Sequence, residues 1–156
     1  MRNSAKALIV RDGRLLVLRC RDTVNEDIDE FLCLPGGGQE HGETLEQALR
    51  RECQEEVSID VEVKELVFVR EYIGKNHGFA LYKDTHQIDF CFRCIILAGE
   101  PAIGHNPDTD QIGVAWIALN ELETAYFWPR TMRQLLATSL SSEDTSSSPV
   151  YLGDIN

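Results

Sequence analysis

Three consecutive glycines, Gly36, Gly37 and Gly38, lead through a polar turn into residues 44–57, a run that holds no glycine or proline. No other stretch of the chain restricts local structure so tightly. Leu, Ala, Gln, Glu and Arg dominate the run, and all favour helix. Thr44 stands where its hydroxyl can accept from a free N–H of the first turn. Leu45, Leu49, Cys53 and Val57 recur every fourth residue with Ala48 beside them, so one stripe of the helix must face a core.

The carboxylates of that helix are the unusual part. At about 100° per residue, Glu52 and Glu56 point nearly in line with Leu45 and Leu49, and Glu55 lies on the flank. Like charges at this spacing repel, and a desolvated carboxylate without a partner is costly. Most charge runs are solvated helix faces, but these acids aim inward behind a glycine-rich loop. Hard divalent cations offset such clusters, taking carboxylate oxygens together with substrate phosphates. The glycines leave room for an ion or ligand to approach the main chain, and Pro35 stiffens the approach.

Residues 34–59, LPGGGQEHGETLEQALRRECQEEVSI, resemble the Nudix box: Gly37, then Glu43, Arg51-Glu52, Glu55-Glu56, a small residue and an aliphatic one. The resemblance implies Mg2+-dependent hydrolysis of a diphosphate linkage, with Mn2+ as the alternative ion. It implies Glu52, Glu55 and Glu56 as catalytic residues and metal ligands, with the Gly37 carbonyl as a further ligand and one glutamate doubling as general base. Glu43 and Arg51 would brace loop against helix, while Glu40 and His41 sit at the rim. In some members an acid of a later loop serves as base, and Asp110, close to Asp108, is the candidate here. Its plain alternative is a turn residue after Asn106-Pro107. Ser58 stands where the family usually has glycine, and Cys53 where it has an aliphatic residue. Serine restricts the backbone at the helix exit, whereas cysteine remains a small apolar residue. Neither removes a ligand.

The remaining pattern is that of one domain. Residues 6–10 and 14–19 are apolar runs joined through Asp12-Gly13, a hairpin signal. Residues 31–34, 61–72, 87–97 and 112–119 read as further strands, and 120–125 and 130–140 as helices. The expected fold class is α+β: a Nudix-like α/β/α sandwich with a mixed sheet and a loop-helix-loop catalytic motif. Residues 1–140 form the domain. Within 141–156 a serine-rich connection precedes an apolar return at 150–153, either a short strand or arm, with a disordered tail as the competing expectation.

A net charge of −11 argues against nucleic acid and anionic membranes as partners. An anionic substrate then needs local cations, and Arg19, Arg21 and Arg70 are the substrate-binding candidates, since guanidinium forks suit phosphate. Five cysteines form no disulfide framework, and Cys91 and Cys94, three apart in a strand, point to opposite faces. A reducing cytoplasm fits them, and no apolar run or leader marks a membrane segment. His77 and His86 read as exposed loop residues. Tyr126, Phe127, Trp128 and Trp116 read as core, with base stacking as the alternative. The proline and tyrosine markers of several substrate classes are absent, including at Gly74-Lys75-Asn76. Three functions remain: hydrolysis of a nucleoside diphosphate derivative such as ADP-ribose or a nucleotide sugar, housecleaning of (deoxy)nucleoside triphosphates, or a silent nucleotide-binding regulator. The intact glutamate set argues against the last. Dimers are common in the family, and the chain carries no independent sign of one.

Overall fold

The computed structural model describes residues 1–23, 29–78, 82–141 and 150–156. Two sheets with eight strands and two helices make up the described fold: β1 (Arg2–Leu8), β2 (Val10–Arg11), β3 (Arg14–Arg21), β4 (Glu30–Cys33), α1 (Leu45–Val57), β5 (Asp60–Ile73), β6 (His86–Ala98), β7 (Gln111–Ala118), α2 (Met132–Leu140) and β8 (Val150–Asp154). One sheet has the order β1-β6-β5-β8 and is mixed: β1 runs parallel to β6, β6 antiparallel to β5, and β5 parallel to β8. In the other, β3 pairs antiparallel with β2, β4 and β7.

Strand alternation builds two cores. Ala5, Ala7 and Ile9 of the first hairpin, with Leu16, Leu18 and Cys20, pack against Leu49, Cys53 and Val57 of α1. Their neighbours Leu8, Leu15 and Val17 face the other way, onto Phe127, Met132, Leu136 and Leu140 around α2. Each fully buried leucine or phenylalanine in these layers contributes about 2 kcal/mol. The helices therefore lie on opposite faces, as expected for a sandwich. Cys91 and Cys94 fall into the two different cores, and all five cysteines are free.

Two local expectations need correction. Residues 120–125 form no α-helix; a short 3-10 helix spans Leu119–Glu121 and gives way to a turn. His77 is not a free loop histidine: its ring stacks on Tyr72 and its Nε2 lies 2.6 Å from Asp154. Asp154 also accepts from Ile73 N–H and Asn76 Nδ2. Partial burial opposes ionisation there, but these donors win and hold its carboxyl down at about 2. They dock β8 against the end of β5. The serine-rich residues 142–149 lie outside the described residues.

Candidate active site

The loop before α1 is stitched onto β1. Ala5 N–H donates to the Gly37 carbonyl and Ala7 N–H to the Pro35 carbonyl, both at 2.9 Å. Gly36 has φ +115°, and a Cβ there would lie 2.2 Å from the Ala5 carbonyl oxygen. Only glycine satisfies both constraints. α1 begins with a reciprocal cap in which Thr44 Oγ1 accepts from Gln47 N–H and Gln47 Oε1 accepts from Thr44 N–H. It ends at Ser58 in a left-handed conformation, φ 58°. Serine reaches it at a cost of about 1 kcal/mol that glycine would avoid.

The last carbonyls of α1 are unusually well partnered. Asn106 N–H donates to the Glu55 carbonyl, Gly104 N–H to that of Glu56 and Ala102 N–H to that of Val57. Gln111, itself buried, adds a bond from Nε2 to the Glu56 carbonyl at 2.8 Å. The β6–β7 loop thus clamps the turn that carries Glu55 and Glu56.

Glu56 is 1% exposed. Its Oε2 accepts from Gly36 N–H at 2.7 Å, while Oε1 is buried with no hydrogen-bond partner. Burial pushes its carboxyl up to about 7, against the opposing pull of Lys6 and the Gly36 N–H and with help from Asp108 and Glu52. Burial also raises the Glu52 carboxyl, with the Arg51 guanidinium working against it. The Glu52 carboxylate presses on the loop so closely that a Cβ at Gly37 would come within 2.7 Å of it.

Arg51 is the hub. Its Nε and Nη2 reach the two oxygens of Glu43 at 2.8 and 3.0 Å, and Nη2 also reaches the Gly38 carbonyl at 3.0 Å. Its Nη1 contacts Glu52 at 2.9 Å and Glu55 at 3.4 Å. The fork's bonds hold the Glu43 carboxyl down at about 2. Arg51→Met should therefore cost about 2 kcal/mol in chemical denaturation, since it strands charged partners at a mostly covered site. An unchanged midpoint would show the hub to be ornamental.

Among the described residues, no three His, Cys, Asp or Glu side chains converge as a ready cage for an ion. Arg51 occupies Glu52 and Glu55, and Glu56 turns towards Gly36. The donor set still fits a hard divalent cation: it is anionic and all oxygen, and the buried Glu56 Oε1 lacks any partner.

The other expected residues divide. Asp108 acts electrostatically on Glu56. Asp110 is exposed, and its carbonyl accepts from Arg21 N–H at 2.8 Å. Arg19 is held by Glu30 through two bonds of 2.9 and 2.7 Å. Arg21 is exposed at the end of β3. Arg70 is mostly covered, paired with Asp89 at 2.7 Å and donating to the Ile155 carbonyl. It lines a cavity of about 190 Å³ together with Lys6, Leu34, Gln87, Asp89 and Trp128. Lys6 escaped the sequence reading; its signal was a lone lysine between Ala5 and Ala7 in an apolar strand.

A family model described as the NUDIX domain matches residues 1–138. The chain belongs to the Nudix family and is a pyrophosphohydrolase of that kind. Among solved structures it is similar to a MutT Nudix hydrolase from Burkholderia pseudomallei, at 27% identity over 86% of this chain and 96% of that one, with a TM-score of 0.67. An ADP-ribose pyrophosphatase from Streptococcus suis shares the fold at 17% identity, 98% coverage of both chains and TM-score 0.65. A UDP-X diphosphatase does so at 17% identity, 98% of this chain, 66% of that one and TM-score 0.69. No curated protein sequence matches significantly. Among the described residues, no helix is long and apolar enough to cross a membrane.

Proposed function

We propose that the protein hydrolyses the diphosphate linkage of a nucleoside diphosphate derivative, such as ADP-ribose or a nucleotide sugar, with Mg2+ or Mn2+. One observation carries the reading: a buried, partly unpartnered carboxylate, Glu56 of α1, is held by the N–H of Gly36, whose carbonyl accepts from Lys6, a residue that lines a small cavity. At about 190 Å³ that cavity is smaller than the ~300 Å³ of a typical whole-ligand pocket. It suits one ring-sized moiety, with the Trp128 side chain as an apolar wall.

Glu52, Glu55 and Glu56 would hold the ion, which when bound polarises phosphoryl oxygens and lowers the pKa of the attacking water. The chain's own residues do the positioning. Gly36 N–H fixes one oxygen of Glu56 and leaves the other for chemistry. Arg51 restrains Glu52 while tying the helix to the loop through Glu43 and Gly38. Of the three glutamates, Glu56 is the one we assign as general base, because its Oε1 is buried without a hydrogen-bond partner. Of the loop acids, Asp108 supports that role better than Asp110 because its charge bears on Glu56. Arg70 shapes the cavity wall through its pair with Asp89. Arg19 and Arg21 would meet only a substrate that extends along β3. The five free thiols suit a reducing, cytoplasmic setting.

Chromatographic product analysis tests the reading on ADP-ribose, nucleotide sugars, dinucleoside polyphosphates and (deoxy)nucleoside triphosphates with Mg2+. Cleavage of a diphosphate-linked compound into two monophosphates is expected. Release of pyrophosphate from a triphosphate alone would overturn the proposed substrate class.

A further inference from the structure

We propose that Lys6 is a substrate-binding residue, anchoring the anionic diphosphate at the seam between the carboxylates and the cavity. The inference rests on the functional reading above and adds a residue to it.

Lys6 lies on β1 opposite Cys91 of β6, on the sheet face that also presents Asp89. Its Nζ donates to the Gly36 carbonyl, in the same loop residue whose N–H holds Glu56. The ammonium is close enough to favour the charged forms of both Glu52 and Glu56, and it also lines the cavity. An ammonium has three donors, and Gly36 engages one of them. Arg19 and Arg70 are committed to Glu30 and Asp89. On a chain of net charge −11, a diphosphate reaching this site needs a cation that still has bonds to give.

The position also carries an electrostatic cost. A fixed ammonium beside two carboxylates repels a metal cation arriving at the same acids. If Lys6 binds the diphosphate, removing its charge should move two affinities in opposite directions. Binding of inorganic pyrophosphate should weaken, and binding of Mn2+ should hold or tighten. If Lys6 only braces the Gly36 loop, both should fall together.

The test uses the full chain, wild type, Lys6→Met and Lys6→Gln, with Lys6→Arg as the conservative control. Mn2+ binding is read from loss of the free-ion electron paramagnetic resonance signal. Pyrophosphate binding is read by calorimetry at saturating Mg2+. Both uncharged variants should bind pyrophosphate about tenfold or more weakly, as expected for loss of a charge-assisted bond, with Mn2+ affinity no lower than wild type. Lys6→Arg should recover part of the pyrophosphate affinity, and in turnover the uncharged variants should raise KM more than they lower kcat. Unchanged pyrophosphate affinity, or a joint fall in both affinities, would overturn the Lys6 assignment and leave the site reading standing. A wild-type protein that bound neither Mn2+ nor pyrophosphate would overturn both.

Discussion

Glu56→Gln should abolish most turnover, by about a hundredfold or more, and yet make the EDTA-treated protein more stable above pH 7. The first effect follows from removing an anionic oxygen where charge stabilisation matters most. The second follows from burial. The folded protein holds the Glu56 carboxyl near 7, against about 4.5 for an ordinary glutamate. Between those values the folded chain binds a proton that the unfolded chain has released, so stability falls as pH rises through the window. The deficit is complete above the folded value and amounts to about 3 kcal/mol at most. Burial shifts Glu52 in the same direction and adds to the slope. Glutamine cannot ionise, and its amide oxygen can still accept from Gly36 N–H. Thermal unfolding in EDTA from pH 5 to 8 should show a clear decline for wild type and a flatter curve for the variant. Retained turnover would remove Glu56 from the chemistry, and parallel pH curves would remove it from the linkage.

Gly104→Ala should be the most damaging single methyl in the β6–β7 loop. A Cβ at that position would stand 2.0 Å from the Glu55 carbonyl oxygen and 2.9 Å from that of Gln54. Both obstacles are helix backbone, so no side chain can swing aside. The loop must lift, and the bonds from Ala102, Gly104, Asn106 and Gln111 to the end of α1 loosen together. A loss of about 2–4 kcal/mol in urea denaturation is expected, the range of overpacking combined with broken buried bonds. Turnover should drop beyond what partial unfolding explains, because Asp108 moves with the loop while Glu56 stays on the helix. A variant with a wild-type midpoint and wild-type kcat would show that the clamp is dispensable.

The parts of this site legible in the sequence are the local ones. The helix at 44–57 carried its own cap, periodicity and composition, and the structure sets it at Leu45–Val57 with both halves of the capping box. The inward direction of Glu56 followed from its place on the same wheel as Leu49. What escaped depends on pairing between distant segments. Lys6 acquires its meaning only when β1 lies parallel to β6 and the glycine loop lies along β1. Arg70 looked available until the β5–β6 register set it against Asp89 and β8 brought the Ile155 carbonyl to it. Asp108 and Asp110 are two residues apart, and only the fold of the loop decides which one's charge bears on Glu56. Serine at position 58 restricts the helix exit, yet in the structure Ser58 adopts the glycine-like conformation all the same.

The placement of the two helices on opposite faces has a consequence for how such a molecule changes over generations. The acids sit on α1, packed into one apolar layer, while the cavity opens within the other layer, around Leu34, Cys91 and Met132. Substitutions that reshape the cavity disturb few contacts beneath the acids. Selection can therefore retune what is bound without rebuilding what cuts, and drift on the α2 side need not erode the reaction. Lys6 is the exception, because it touches both territories, and its replacement would be felt in each.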